Sequence, residues 1–300
     1  MKRKIDISIV SDDVCLTGEM PIWDASEQML YWIDTQGEKI YRLADDGKVS
    51  SWKPPRRVGA LAFQADDGLM ATMRDGIYSI VLSGDGATSQ CSTEPLMRPQ
   101  LPDGVRLKEG KVDPAGRYWF GSTGEDPKAK QGSLFRLDGA GGVKKFDDGF
   151  MVINGGAFSP DHRTMLVADS TNDTVYAYDF DLKSGGVSNR RQFFSTAEFP
   201  GYIDGANFDS EGGYWCAMIH GWAIARIDPK GRLDRLVQLP AKYPTMCAFG
   251  GPNLDVMYVT TASSFFKKGE GALQPHAGKL FAIRGLGPNG VPEFKFGSQI

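Results

Sequence analysis

Three residues of the 300-residue chain combine chemical type with a repeated local setting. Glu19 in LTGEMPIW, Asn154 in MVINGGAF and Asp204 in GYIDGANF each precede the small or apolar start of an apolar run, and each stands beside a glycine that lets the backbone turn tightly. Two carboxylates and one amide brought together supply hard oxygen donors, the set that Ca²⁺, Mg²⁺ and Mn²⁺ prefer and Zn²⁺ accepts. Held close, the two negative charges repel each other unless a cation lies between them. The alternative is that the acids make polar turn contacts or ion pairs near Arg106 and Lys108 of VRLKEGKVD, where Glu109 adds another carboxylate. Residue types alone leave both readings open.

Other chemistries are poorly supported. His162, His220 and His276 are far apart with no HExxH spacing, and His162 sits in the SPDHRT turn, the setting of a solvated loop residue. No G-x-S-x-G elbow is present for a serine nucleophile. The glycine-rich DGAGGV from Asp138 to Val143 lacks the G-x-G-x-x-G spacing and reads as a hairpin turn between LFRLD and VKKF. Cys15, Cys91, Cys216 and Cys247 form no CxxC pair and read as reduced, buried residues.

The elements that would position the three donors come from an internal repeat. Six segments share an apolar strand, a turn rich in Asp, Gly and Pro, and further apolar strands; their equivalent anchors are Trp23, Phe63, Val112, Phe158, Phe208 and Phe249, spaced 40 to 50 residues apart. Runs such as MLYWID and TMLVADS are short, β-branched or aromatic, and bounded by turn residues, which marks strands. With 37 glycines and 17 prolines, the chain is rich in turns. Several short strands per 40 to 50 residues predict an all-β, six-bladed β-propeller over residues 1–300 as one domain. Inner strands would line a central metal-binding channel. The N-terminal strand and GKLFAIRGL would close the ring in one blade and remove its edge. Trp23, Trp32, Trp119 and Trp215 are expected at equivalent packing positions, and Trp222 in IHGWAI at the rim or channel mouth.

A formal charge of −3 excludes a strongly basic nucleic-acid binder. No run of about 18 apolar residues is present. The basic start MKRKIDISIV is interrupted by Asp6 and followed by no A-x-A pattern, so no signal peptide and a soluble, cytoplasmic protein are expected.

The order of motifs resembles that of the gluconolactonase and regucalcin (senescence marker protein) family. GEMPIWD is similar to the family's GExPxWD, EGKVDPAGRYWFGST to NDGKxDPxGRxWxGT, and INGGAFSPDHRTMLVADS to SNGLAWSPDxxxxYxxDS. IDGANFDSEGGYWCAM is similar to PDGxxxDxxGxxWxA, and YPTMCAFGGPNLDVMYVTTA to RPTxxxFGGxxLxxLYVTSA, so the resemblance spans nearly the whole chain. It implies one divalent metal ion, Ca, Zn, Mg or Mn, held by Glu19, Asn154 and Asp204, with Arg106 contacting substrate oxygens. The sequence departs from the family's Arg-x-Asn-Asp-Gly at Arg106-Leu107-Lys108-Glu109-Gly110, placing a lysine where an asparagine is usual. Glu125 and Asp126 lie near where some members place a substrate-binding acid.

The implied reaction is hydrolysis of a sugar lactone, aldono- or aldaro-, to the open-chain acid. A divalent ion can polarise the carbonyl and acidify water, and Asp204 is the expected general base. Arg106, Lys108 and Glu109 would hold the polyhydroxyl tail, and Lys108 would pair with an acidic group on the substrate. The alternatives are a non-catalytic calcium-binding propeller and a metal-dependent aryl-ester or organophosphate hydrolase.

Overall fold

The computed structural model describes residues 4–298 apart from 67, 140, 141 and 268. Almost all regular structure is β-strand, arranged as six antiparallel sheets that form the blades of a β-propeller. From the channel outward, blade 1 is Gly18–Asp24, Met29–Asp34, Lys39–Leu43 and Val49–Trp52. Blade 2 is Val58–Gln64, Leu69–Met73, Gly76–Ser83 and Gln90–Met97; blade 3 is Arg106–Val112, Tyr118–Thr123, Gly132–Leu137 and Val143–Phe150. Blade 4 is Ile153–Phe158, Thr164–Asp169, Thr174–Asp181 and Gly186–Ser195; blade 5 is Tyr202–Phe208, Tyr214–Ile219, Ala223–Ile227 and Leu233–Gln238. Blade 6 combines Pro244–Gly250, Val256–Thr261 and Phe281–Arg284 with the N-terminal strand Asp6–Ile9. Asp6 to Ile9 pair antiparallel with Arg284 to Phe281, so both ends of the repeat array close one sheet, as expected from the sequence.

All six anchors lie on inner strands, each opposite the first or second residue of the neighbouring strand. Alternation drives this arrangement, because each sheet is apolar on both faces and must be covered on both sides. Among the described residues a large apolar cluster occupies each of the six blade junctions, and a small seventh joins Ile219, Tyr243 and Ala262. Ile22 and Phe63 meet between blades 1 and 2, Phe120 and Met70 between 2 and 3, and Trp119 and Phe158 between 3 and 4. Phe208 and Ala157 meet between 4 and 5, Trp215 and Phe249 between 5 and 6, and Trp23 and Tyr258 between 6 and 1. Each large side chain so buried contributes about 1.5–3 kcal/mol.

The tryptophans are packed as expected, though not all at one register. Trp119 and Trp215 are equivalent, and their indole N–H groups donate to Asp113 at 2.9 Å and Asp209 at 2.7 Å. Trp32 lies one residue further along its strand, and Trp23 is itself an inner-strand anchor. Gly132–Leu137 and Val143–Phe150 form the anticipated hairpin; residues 140 and 141 of its turn lie outside the described residues. All four cysteines are free, with Cys91 the half-buried one. No helix among the described residues is long and apolar enough to cross a membrane.

Candidate active site

Every inner strand carries a register irregularity at the same level: between Glu19 and Ile22, Val58 and Ala60, Lys108 and Lys111, Asn154 and Ala157, Ile203 and Ala206, and Pro244 and Met246. A bulge bends its strand and re-aims a side chain. Here it does so six times around one axis. Four residues before the six anchors stand Glu19, Gly59, Lys108, Asn154, Asp204 and Thr245, which therefore form one tier of the channel wall. Gly59 has no side chain, and the Thr245 hydroxyl is engaged with Thr260 and the Gly18 carbonyl. Glu19, Lys108, Asn154 and Asp204 remain to do chemistry.

Left-handed backbone follows three of these residues, at Met20 (φ 48°), Glu109 (φ 59°) and Gly155 (φ 59°). At Gly155 a side chain is also excluded by space: a Cβ there would lie 2.4 Å from the Tyr214 hydroxyl and 3.1 Å from the Asp204 carbonyl. Tyr214 Oη donates to the Gly155 carbonyl at 2.8 Å, which fixes the bulges of blades 4 and 5 against each other. Asn154 and Asp204 are thereby held in a set relation.

The amide of Asn154 is oriented by a relay. Ser170 Oγ donates to the Ile203 carbonyl at 2.6 Å, so it accepts from Asn154 Nδ2 at 2.7 Å and leaves Oδ1 of the amide available. Glu19 and Asp204 keep some solvent contact through the channel while lying deep in the protein. No side chain among the described residues donates a hydrogen bond to the Asp204 carboxylate. Burial raises Asp204 to about 7, with Lys108 opposing and Glu109 reinforcing the shift. Burial, then the negative charge of Asp204, raises Glu19 well above the usual carboxylate range. Glu109 is raised by burial too, but its carboxylate is turned toward backbone, accepting from Gly110 N at 3.3 Å and Gly156 N at 3.4 Å, and so ties blade 3 to blade 4. Lys108 opposes the rise of all three acids while making no ion pair of its own among the described residues.

Two deeply placed carboxylates and an amide oxygen held outward suit a hard divalent cation. Among the described residues no group of three or more His, Cys, Asp or Glu side chains forms a metal cage. Glu19, Asp204 and the oriented amide would offer such an ion three oxygen donors and leave its other positions to water or substrate.

The tail end of the chain shapes the opposite mouth. Ser210 N donates to the Asn289 carbonyl at 2.8 Å beneath blade 5, and Lys295–Phe296 pair in parallel with Phe63–Gln64 of blade 2. Between them Glu293 binds Lys111 of blade 3 at 2.8 Å through both oxygens and accepts from Asn207 of blade 5 at 3.0 Å. The tail thus crosses the channel floor, and the four functional side chains are approached from the other mouth.

The sequence profile of the SMP-30/Gluconolactonase/LRE-like region matches residues 17–263. The chain belongs to this family. It is 34% identical to regucalcin of Gallus gallus over 97% of this chain and 98% of that protein. It is 35% identical to a 6-deoxy-6-sulfogluconolactonase of Pseudomonas putida, covering 89% of this chain and 90% of that one. A solved luciferin-regenerating enzyme superposes with a TM-score of 0.89 at 29% identity, covering 98% of this chain and 99% of that chain.

Within this SMP-30/gluconolactonase-like propeller, Arg106 begins the inner strand of blade 3 on the open side, exposed and without an ion pair among the described residues. Glu125 lies beside it and is bound to Arg74 at 3.1 Å, whereas Asp126 caps its own turn by accepting from Lys128 N at 2.9 Å. Trp222, at φ 59°, is 37% exposed. Two groups escaped the sequence reading. Arg57 stands six residues before Phe63, as Arg106 stands six before Val112, and this parallel was present in the repeat alignment. Glu293 lies beyond the last repeat, where no periodic signal points to the channel.

Proposed function

We propose that the protein hydrolyses sugar lactones at one divalent cation, Ca, Zn, Mg or Mn, held by Glu19, Asn154 and Asp204. The observation that carries this reading is the tier of re-aimed side chains, in which two deeply placed carboxylates face the channel beside an amide whose oxygen is left available. Relatives named as lactonases support the reaction class. When bound, the cation supplies Lewis acidity toward the lactone carbonyl and lowers the pKa of water.

The chain's own groups do the rest. Asp204 takes a proton from the attacking water as its oxygen adds to the carbonyl carbon. The bond from that carbon to the ring oxygen then breaks, and the proton held on Asp204 passes to the departing oxygen to give the hydroxy acid. Glu19 and Asn154 would hold the cation against which the carbonyl is oriented, and Glu109 keeps the blade 3 bulge seated on blade 4. Lys108 and Arg106 hold substrate oxygens on the open side.

A pH-indicator assay against neutral and acidic sugar lactones, after chelation and after adding back each of the four cations, tests the proposal. Hydrolysis lost on chelation and restored by a divalent ion is expected. Cation binding without turnover of any lactone would overturn it in favour of a calcium-binding propeller.

A further inference from the structure

The substrate-facing mouth has a charged side that catalysis of a neutral lactone does not require. Arg57 and Arg106 occupy the same position in neighbouring blades, two residues outward from the tier of Glu19 and Asp204. The two strands run side by side there, since a Cβ on Gly59 would lie 3.9 Å from both the Leu107 carbonyl and the Lys108 Cα. Arg74 joins them from the turn of blade 2, where its carbonyl accepts from Leu107 N at 3.1 Å. Three arginines therefore stand at the junction of blades 2 and 3. The Arg106 guanidinium feels the positive charges of Arg74 and Arg57, and Glu125 is the opposing charge beside it.

Arginines that neighbour this cluster in sequence or hold the blades together are paired with carboxylates. Arg56, next to Arg57, is bound to Asp75 at 2.8 Å; Arg117 is bound to Asp113 and Arg226 to Asp209, each at 2.7 Å. At the mouth, Arg74 is bound to Glu125, and Arg57 and Arg106 make no ion pair among the described residues. Like charges kept together at a ligand entrance, in a chain of net charge −3, raise the local concentration of anions. At the equivalent positions of blades 5 and 6 stand Tyr202 and Tyr243, so the arginine pair has no counterpart on the opposite wall, where Lys242 is bound to Glu270.

We propose that Arg57, Arg74 and Arg106 form a subsite for an anionic group at the end of the sugar chain remote from the lactone carbonyl, such as a carboxylate or a phosphate. The inference rests on the lactonase reading for the position of the carbonyl. Two residues along a strand span roughly 6.7 Å. That separation lets a short polyol chain reach from the Glu19, Asn154 and Asp204 tier to the arginines, past Lys108. Guanidinium groups suit the task because they bind oxyanions through paired N–H donors.

Equilibrium binding of the open-chain acids tests the subsite without requiring turnover. Gluconate carries no terminal anion, glucarate carries a terminal carboxylate and 6-phosphogluconate a terminal phosphate. By titration calorimetry with cation present, the wild-type protein is expected to favour one of the two terminally charged acids over gluconate by about 10- to 100-fold, as charge-assisted hydrogen bonds give. Which of the two is preferred identifies the anion. Arg57→Gln and Arg74→Gln should each shrink that ratio, and together bring it near one, while Arg56→Gln keeps the wild-type ratio. Equal binding of all three acids, no binding of any, or a preference that survives the double substitution would overturn the subsite. A preference abolished by the double substitution in a protein that hydrolyses no lactone would leave the subsite standing and remove the catalytic proposal alone.

Discussion

The two ends of the channel use the same kinds of side chain and differ in whether those side chains are paired. At the floor, Lys111 meets both oxygens of Glu293, Asn207 adds a third hydrogen bond, and the cluster is nearly sealed from solvent. At the reactive tier, Asp204 has no side-chain hydrogen bond and Lys108 no ion pair among the described residues. Buried polar groups are almost always satisfied in stable proteins, because a missing partner costs about 1–3 kcal/mol or more. A satisfied cluster therefore serves the fold, and an unsatisfied one is kept for something that binds. The floor joins a tail to blades 3 and 5, whereas the tier is the part for which a ligand is proposed.

The sharpest way to break this comparison is to remove one acid from each end. Asp204→Ala should lower lactone turnover by about 10²–10⁴-fold, the range set by losing a proton acceptor. Its metal-free form should be no less stable than the parent, since an unpartnered buried charge has gone. Glu293→Ala leaves Lys111 buried and unmatched and should cost about 3–5 kcal/mol of stability. Thermal unfolding and initial rates on both variants check the pair. If Asp204→Ala destabilised the metal-free protein as much as Glu293→Ala does, the distinction between the two ends would be lost.

A second contrast lies in the response to pH. Carboxyl groups raised by folding keep their protons longer than they do in the unfolded chain, where Asp and Glu ionise near 3.8 and 4.5. Their contribution to stability is complete below those values and is lost as pH rises through the folded value, about 7 for Asp204. The metal-free protein should therefore melt several degrees lower at pH 8 than at pH 5.5, and a saturating divalent cation should abolish the difference. Asp204→Asn isolates the cause, because its metal-free form should lose much of the dependence. An identical pH response in Asp204→Asn would show that other groups are responsible.

Much of the arrangement was legible in the sequence, for a physical reason. A propeller repeats one local solution, so the anchors Trp23 to Phe249 declared the inner strands, and counting back from them reached Glu19, Asn154 and Asp204. A count of four also reaches Lys108 and a count of six reaches Arg57 and Arg106, whose significance lies in what stands beside them once neighbouring blades are packed together. Arg74 was hidden because it is delivered by a turn of a different strand through a backbone hydrogen bond to Leu107. Glu293 was hidden because the tail's route follows from pairing with Phe63–Gln64 and from the contacts of Asn289, which no repeat pattern encodes. The turned carboxylate of Glu109 also needed the structure, since the choice between channel and blade 4 depends on a bulge with φ 59°.

The finest test concerns Lys108, the cationic member of the tier proposed to hold a divalent ion. Its ammonium offsets the negative charge of Glu19 and Asp204 in the metal-free protein, and the same proximity makes it repel a divalent ion held by them. On the proposed reading, Lys108 would set the balance between a tier that is stable without metal and one that binds metal tightly. Replacing it by asparagine removes a unit charge from beside the ion, and at the effective dielectric of such a site this should tighten cation binding by roughly tenfold. Titration calorimetry of Lys108→Asn with Ca²⁺ and Mn²⁺ measures the change directly, with the heat of binding as its readout. Stability should move the other way: with its nearest positive charge removed, the metal-free variant is expected to melt below the parent at pH 8 and to recover when the ion is supplied. Unchanged affinity would mean that Lys108 swings clear of the ion and acts on the substrate alone.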